Sequence, residues 1–166
     1  IGKSFKIIEK SNTFGGCWNK ALPSSCLQTH RTFYKFANVD YDEDTRAFPN
    51  KLEVLNYFRK AIDIYNLFYH VAFNSEATYT RLNHKWIVTT NNHILVCNHI
   101  LVCTGVNAVP SIPRLFKDSY SLSNKTKVIH SSDFNEFFVK SNVTYKKIII
   151  VGNGASSCDI LKYFDA

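Results

Sequence analysis

The stretch Tyr145-Lys-Lys-Ile-Ile-Ile-Val-Gly-Asn-Gly-Ala-Ser-Ser-Cys-Asp-Ile160 decides the fold class of this chain. Its apolar run, residues 147–151, leads directly into Gly152-x-Gly154-x-x-Ser157, and a helix-compatible segment follows. This order of strand, glycine turn and helix is the one that a dinucleotide-binding unit requires. The sequence therefore predicts an α/β protein with a Rossmann-like unit at this point.

Each small residue of this turn has a role in the prediction. Gly152 makes the tight turn, Gly154 leaves room for a pyrophosphate, and Ser157 is small enough for close packing of helix on strand. Ser156 lies at the helix start, where free backbone amides hold an anion. The alternative is a glycine turn in an unrelated α/β unit. The residue that distinguishes NADH from NADPH would lie about 20 residues further on, past Ala166.

The composition is that of a basic, globular chain. Its 166 residues are 45% hydrophobic, which suffices for the core of one ordinary domain. The formal net charge of +7 favours anionic partners, but the basic residues are scattered, so we expect no nucleic-acid binding. No apolar stretch reaches the ~20 residues of a spanning helix. We expect no membrane segment and a cytoplasmic location, or the cytosolic face of an internal membrane if an anchor follows.

Cysteine and methionine usage adds two expectations. The five cysteines form an odd set with no CxxC pair, which argues against a disulfide framework and a thioredoxin-type centre. A reducing compartment fits this usage. The chain starts at Ile1 and contains no Met, so we expect a piece of a longer protein.

Local patterns predict a helix and a β-meander before the glycine turn. Asn50 and Glu53 have the spacing of a capping box, and a helix over 50–69 should follow. Residues 71–105 read as a meander, in which Asn91-Asn92 would form a tight hairpin turn with left-handed dihedrals. Residues 100–103 are apolar without alternation, which suits a strand covered on both faces. Pro110 and Pro113 then break the chain into a connector.

A duplication inside the meander suggests a zinc site, which distance disfavours. The set that could ligate a metal is His93, Cys97, His99 and Cys103. An extended strand would separate the first from the last by roughly 33 Å, whereas zinc ligands converge within ~2.3 Å of one ion. Only a fold-back at Asn98 could bring them together. We therefore predict buried strand residues and no metal.

Glu9 ends a short β-rich run, residues 4–9, where an acid at the end of a second strand bonds a ribose. The glycine loop that belongs to such an acid should lie about 20 residues upstream. Only eight residues precede Glu9, so that loop is expected to be missing. The alternative is a solvated carboxylate at a strand end.

In their order and spacing these motifs resemble flavin-containing monooxygenases and their plant-type relatives. The stretch from Glu9 to Trp18 looks like the family's acid followed by its GG-x-W segment. The resemblance implies that Glu9 binds the adenosine ribose of FAD and that the flavin nucleotide runs along Gly15, Gly16, Cys17 and Trp18.

Two further stretches contribute to the resemblance. Residues 27–31 look like the segment that crosses near the flavin ring, which implies that Gln28 hydrogen-bonds there as the catalytic residue. The animal enzymes carry Asn at that position. Residues 101–105 resemble the ATG strand end, with Cys103 in place of Ala, which makes Thr104 and Gly105 cofactor-binding positions.

Residues 128–134 resemble the tail of the family's F-x-G-x-x-x-H-x-x-x-[YF] motif. Asn124 and Thr126 occupy the Phe and Gly positions of that motif. Phe134 is followed by Asn135 rather than by Trp, which leans away from the Baeyer–Villiger relatives. Residues 152–157 resemble the family's second loop, which implies that the loop binds NADPH.

The resemblance implies a partial two-dinucleotide-binding flavoprotein. Residues 1–143 would form part of an FAD-binding domain without its first phosphate loop, with a connector over 106–143, and residues 144–166 would start the NADP-binding domain. The implied function uses FAD, NADPH and O2 to oxygenate a soft nitrogen or sulfur of a small-molecule substrate. The isolated chain should be colourless. Alternatives are a disulfide reductase, which lacks its cysteine pair, and a non-catalytic remnant. Substrate identity and oligomeric state stay open.

Overall fold

The computed structural model describes residues 4–105, 109–114, 127–140, 144 and 147–165. Its strands and α-helices, in chain order, are β1 (Ile7–Ile8), α1 (Cys17–Lys20), α2 (Lys51–Ile64), β2 (Val71–Ala72), β3 (Ala77–Leu82), β4 (Lys85–Thr90), β5 (Ile94–Cys97) and α3 (Ala155–Asp165). Shorter helical turns of other types are Arg31–Phe33, Leu67–His70, Ser131–Asp133 and Asn135–Lys140.

The start of α2 is the predicted capping box. Asn50 Oδ1 accepts from the Glu53 amide at 2.9 Å, and Glu53 Oε2 accepts from the Asn50 amide at 2.8 Å. The helix ends at Ile64, earlier than the expected residue 69. Asn66 has a left-handed φ of 51°, a conformation that asparagine tolerates and that stops an α-helix, and a 3₁₀ turn follows it. The expected helix was therefore too long at its C-terminal end.

Two apolar clusters hold the described chain together. One surrounds α2 and consists of the buried residues Val39, Tyr57 and Ala61. The Tyr57 hydroxyl accepts from the Phe36 amide at 2.6 Å and donates to the Val39 carbonyl at 3.0 Å, so the loop before α2 is tied to the helix. The other cluster joins three distant parts of the chain through Leu22, Phe134 and Ile160.

β1 and β2 form a parallel pair, with Ile7 opposite Val71 and Ile8 opposite Ala72. Val71–Ala72 therefore belongs to this pair and not to the expected meander over 71–105. A separate antiparallel sheet has the order β3-β4-β5 and lies between residues 77 and 97. The hairpin between β4 and β5 is the one that the sequence predicts.

The left-handed residues of the meander lie in its first turn. Leu82 pairs with Lys85, and the two residues between them, Asn83 and His84, have φ of 47° and 63°. The prediction of left-handed dihedrals at Asn91-Asn92 was wrong. In the second turn the Thr90 amide donates to the His93 carbonyl, and the Thr90 hydroxyl accepts from the Asn92 and His93 amides, so side-chain hydrogen bonds stabilise this turn without a left-handed residue.

Two expected strands do not form in the described part of the chain. Residues 100–103 were expected to be covered on both faces, but Leu101 is 90% exposed and Val102 is 56% exposed, so that prediction was wrong. Residues 147–151 also lack a strand partner among the described residues, and Val151 is 70% exposed. A strand requires a neighbour to pair its backbone groups, and apolar composition alone does not supply one.

Parts of the expected connector over 106–143 lie outside the described residues. Asn124 and Thr126, which align with the Phe and Gly of the family motif, are among them. Among the helices that the structure describes, we find no segment whose length and apolar character would let it span a bilayer.

Candidate functional site

The glycine loop, defined as Gly152–Gly154, turns directly into α3. Gly152 has a φ of +123°, a region that favours glycine. The Gly154 carbonyl accepts from the Ser157 and Cys158 amides at 3.1 and 3.2 Å and from Ser157 Oγ at 2.7 Å. Ser157 is buried, but residues 147–151 form no strand on which the helix could pack, so the predicted helix–strand packing is not seen among the described residues. The loop thus opens onto the N-terminus of a helix whose first turn is already closed.

The glycine loop leaves open space on the side where side chains would project. A Cβ built at Gly152 or at Gly154 meets nothing within 4 Å. Ser156, in the first turn of α3, is also exposed. The first amides of an α-helix lack intrahelical partners and carry the positive end of its dipole. An anionic group can therefore approach this loop closely, which is what a pyrophosphate requires.

Glu9 lies directly after β1 at the end of the parallel pair. Its backbone amide donates to the Ala72 carbonyl at 3.0 Å, and its carbonyl accepts from the Ser75 amide at 3.0 Å. Its Oε1 accepts from the Ser11 amide at 2.7 Å. Ser11 holds one carboxylate oxygen at the strand end, and the other has no hydrogen-bond partner within the part of the chain that the structure describes, so it could accept from a ligand hydroxyl.

The structure uses glycine at positions 15 and 16 for different reasons. Gly15 has a φ of +115°, and a Cβ there would lie 2.7 Å from Leu55 Cδ2 on α2. Gly16 has a φ of +51°, and a Cβ there meets nothing within 4 Å. Gly15 therefore permits the close approach of the loop to α2, while Gly16 faces open space beside the exposed Cys17.

Trp18 is fixed by a residue that the sequence reasoning missed. Its Nε1 donates to the Tyr34 hydroxyl at 3.2 Å. Lys51, also missed, donates from Nζ to the carbonyls of Asn19 and Ala21 at 3.0 and 2.7 Å. Burial lowers the pKa of Lys51. Lys51 lies between the two capping-box residues Asn50 and Glu53, so the local sequence predicts only a position in a helix and not these contacts.

The remaining predicted site residues lie on the surface. Gln28, Thr104 and Gly105 are exposed, and Gly105 has a φ of +86°. The amide of Leu27, next to Gln28, donates to the Pro49 carbonyl at 2.8 Å, so the backbone at this point is tied to the start of α2.

One contact between distant segments joins the residues after the GG-x-W segment to α3. Ser25 Oγ donates to Asp159 Oδ2 at 2.7 Å, across 134 positions of sequence. Nothing in the local pattern around either residue indicates this contact.

The residues considered for zinc do not converge. His93, His99 and Cys103 are exposed, and Cys97 is half-buried on β5, so the prediction of four buried strand residues was wrong. Within the ranges that the structure describes, no group of three or more His, Cys, Asp or Glu side chains could hold a metal ion. All five cysteines are free thiols.

An open glycine loop at a helix N-terminus, together with a parallel β-pair that ends in an acid, is the arrangement typical of α/β folds of the dinucleotide-binding type. The comparison with protein families is more specific. The model of the L-lysine 6-monooxygenase/L-ornithine 5-monooxygenase family matches residues 25–165, so the chain belongs to this family of flavin monooxygenases.

Three curated proteins are similar to this chain over nearly its whole length. The chain is 21% identical to the uncharacterized oxidoreductase CzcO of Bacillus velezensis, over 95% of this chain and 44% of that protein. It is 27% identical to the 4-hydroxybenzoate brominase (decarboxylating) of Pseudoalteromonas luteoviolacea, over 96% and 31%. It is 24% identical to the FAD-binding monooxygenase VdtE of Byssochlamys spectabilis, over 97% and 29%. The chain thus spans less than half the length of these relatives.

Solved structures show the same fold. OTEMO in complex with FAD and NADP matches with a TM-score of 0.57 and 24% identity, over 64% of this chain and 22% of that one. Cyclohexanone monooxygenase with bound epsilon-caprolactone matches with a TM-score of 0.56 and 22% identity, over the same shares of 64% and 22%. These likenesses confirm the predicted fold class, an α/β fold of the two-dinucleotide-binding flavoprotein type. The plant-type relationship stays a prediction.

Proposed function

We propose that the protein containing this chain is a monooxygenase that uses FAD, NADPH and O2 to oxygenate a soft nitrogen of a small molecule. The family's description names enzymes of lysine and ornithine, both of which end in a primary amine. A primary amine is a nitrogen nucleophile, so the family favours nitrogen over the sulfur that the sequence alone leaves open.

The observation that carries the proposal is the open glycine loop at the start of α3. The space beside Gly152 and Gly154 and the amides of the first turn suit the pyrophosphate of NADPH. In this proposal Ser156 borders the phosphates, and Ser157 stabilises the first turn of α3 by donating to the Gly154 carbonyl. Residues 144–166 would accordingly begin the NADP-binding domain.

The earlier segment suits FAD. Glu9 has a carboxylate oxygen beyond the one bonded to Ser11, and that oxygen would accept from the adenosine ribose. Gly16 and Cys17 leave the backbone accessible, and Trp18, fixed by Tyr34, would border the flavin nucleotide. We assign residues 1–143 to the FAD-binding domain on this basis.

Gln28 is our candidate for the hydrogen bond near the flavin ring, with Thr104 and Gly105 lining the same cofactor. Bound FAD would supply the oxygen-activating redox chemistry, and bound NADPH would supply the reducing hydride. The chain's own contribution is to hold both cofactors and to present an amide group. The Gln28 carboxamide can both donate and accept, so it can bond either a ring carbonyl or a ring N–H.

The test uses the complete product of the gene that encodes this chain, reconstituted with FAD. NADPH oxidation is followed with lysine-like amines and with matched thioethers, and isotopically labelled O2 reports oxygen transfer by mass spectrometry. We expect one labelled oxygen atom in the amine product. A protein that retains no flavin, or that oxidises NADPH without labelling either substrate class, contradicts the proposal. If only the thioethers are labelled, the oxygenated atom of the substrate is sulfur, and the proposed preference for nitrogen is wrong.

A further inference from the structure

The Ser25–Asp159 hydrogen bond connects the two parts of the chain that carry the proposed cofactor sites. Ser25 follows the GG-x-W segment. Asp159 lies on α3, the helix that directly follows the glycine loop. Their side chains meet at 2.7 Å, and Ser25 is only 7% exposed. A buried hydroxyl needs a partner, and hydrogen bonds to a carboxylate are stronger than those between neutral groups.

The position of Ser25 is fixed by backbone contacts on both sides. Its amide donates to the Leu22 carbonyl at 3.0 Å, and its carbonyl accepts from the Lys51 amide at 2.8 Å. The second contact ties Ser25 to the first residue of α2. The Ser25 hydroxyl therefore projects from a segment that the start of α2 holds in place.

The contact of Asp159 with Ser25 is made only when α3 and its loop have the observed orientation. Ile160, the next residue, is buried against Leu22 and Phe134, so an apolar contact lies beside the polar one. The two residues before Asp159, Ser157 and Cys158, donate to the Gly154 carbonyl. A rotation of α3 about its axis would break the Ser25 contact and would move the glycine loop.

We propose that Ser25 is a positioning residue that sets the orientation of α3, and thereby of the phosphate-binding glycine loop, relative to the flavin-side segment. The functional part of this inference rests on the proposed NADPH site. The orientation of α3 itself does not depend on any cofactor.

The first measurement is hydrogen exchange of the α3 amides in the complete gene product without nucleotide. We expect Ser25→Ala to exchange faster in α3 than wild type by roughly tenfold or more, as loss of a hydrogen bond to a charged group predicts. Ser24→Ala is the matched control, because Ser24 is the exposed neighbouring serine. Equal α3 exchange in the two variants would overturn the inference.

The second measurement compares how Ser25→Ala changes the KM for NADPH and how it changes kcat. Ser25→Ala should raise the KM by about three- to tenfold with kcat nearly unchanged, because a misoriented cradle weakens binding of the nucleotide. A purely structural loss would reduce the folded fraction and lower the apparent kcat instead. Asp159→Asn keeps an oxygen that can accept from Ser25 and should stay near wild type, whereas Asp159→Ala should match Ser25→Ala.

The outcomes separate this inference from the proposed function. If wild type binds NADP⁺ and Ser25→Ala has an unchanged KM, the positioning role is wrong while the proposed function stands. If wild type binds no NADP⁺, the proposed function fails, and the exchange comparison still decides whether Ser25 orients α3.

Discussion

Lys51 Nζ lies 2.7 Å from the carbonyl oxygen of Ala21, the residue that directly follows α1. The same ammonium group reaches the Asn19 carbonyl at 3.0 Å. A four-residue helix leaves its last carbonyls without intrahelical partners, and a cation near them is favourable. Lys51 thus connects the first turn of α2 to the segment that carries Trp18.

We predict that Lys51→Met destabilises the fold by about 1–2 kcal/mol, because two carbonyls lose a charged donor while the aliphatic packing is retained. Urea unfolding followed by tryptophan fluorescence measures this change. Lys20→Met is the control, since it removes the same charge from an exposed site on α1. Equal losses in both variants would show that net charge, and not the contact with α1, is responsible.

The capping box makes stability depend on acid pH. Burial raises the pKa of Glu53, but hydrogen bonds from the Asn50 and Arg46 amides, together with the Arg46 charge, bring the pKa below its ordinary value. The unfolded chain then binds the proton more readily than the folded chain does. Stability is therefore full above the ordinary glutamate pKa and falls as the pH drops through the lower folded value.

We predict that Glu53→Gln flattens this acid dependence, since glutamine can still accept from the Asn50 amide but does not titrate. Unfolding curves between neutral pH and mild acid measure the effect. Arg46→Met should give an intermediate slope, because it removes the charged partner 2.9 Å from Glu53 Oε2 and leaves the backbone bonds. A Glu53→Gln slope identical to that of wild type would contradict the assignment.

The two adjacent glycines should respond differently to a methyl group. Gly15→Ala places a Cβ 2.7 Å from Leu55 at a φ of +115°, so we predict a loss of stability of about 2 kcal/mol or more. Gly16→Ala has open space and a φ of +51°, so the expected loss is only about 1 kcal/mol. Thermal unfolding of both variants decides the order. A Gly16→Ala protein that is less stable than Gly15→Ala would exclude the close approach to α2.

Features that depend on neighbouring residues could be predicted from the sequence. Asn50 and Glu53 are three positions apart, so the capping box is written in the local pattern, and the hairpin joining β4 to β5 follows from its strand composition. The glycine loop is equally local, because the φ of +123° at Gly152 favours glycine, and the sequence shows a glycine at that position. Each of these depends on a few consecutive residues.

Features that depend on distant partners could not be predicted. Ser25 and Asp159 are 134 positions apart, and neither has a distinctive neighbourhood. Residues 100–103 are apolar enough for a buried strand, but pairing requires neighbouring strands that composition does not reveal. Asn83 and His84 are left-handed whereas Asn91 and Asn92 are not, although each pair lies between two residues paired across its turn, so the composition of the turns does not distinguish them.

The glycine loop offers a test that separates conformation from ligand binding. Gly152→Ala should lower the melting temperature, because alanine is strained at a φ of +123°. Gly154→Ala has no such strain and meets nothing within 4 Å, so its melting temperature should change little. Its methyl group would occupy the space proposed for the pyrophosphate, so we predict at least a tenfold loss of NADP⁺ affinity, roughly the cost of one misplaced contact in a tight anion site.

Calorimetric titration with NADP⁺ in the complete gene product measures the affinity, and a thermal scan measures the stability. Cys158→Ala serves as the control, because this side chain is exposed on the same helix. If Gly154→Ala binds NADP⁺ as tightly as Cys158→Ala does, the open space beside Gly154 is not the phosphate site. In that case the glycines serve only the turn into α3, and the nicotinamide nucleotide must bind elsewhere.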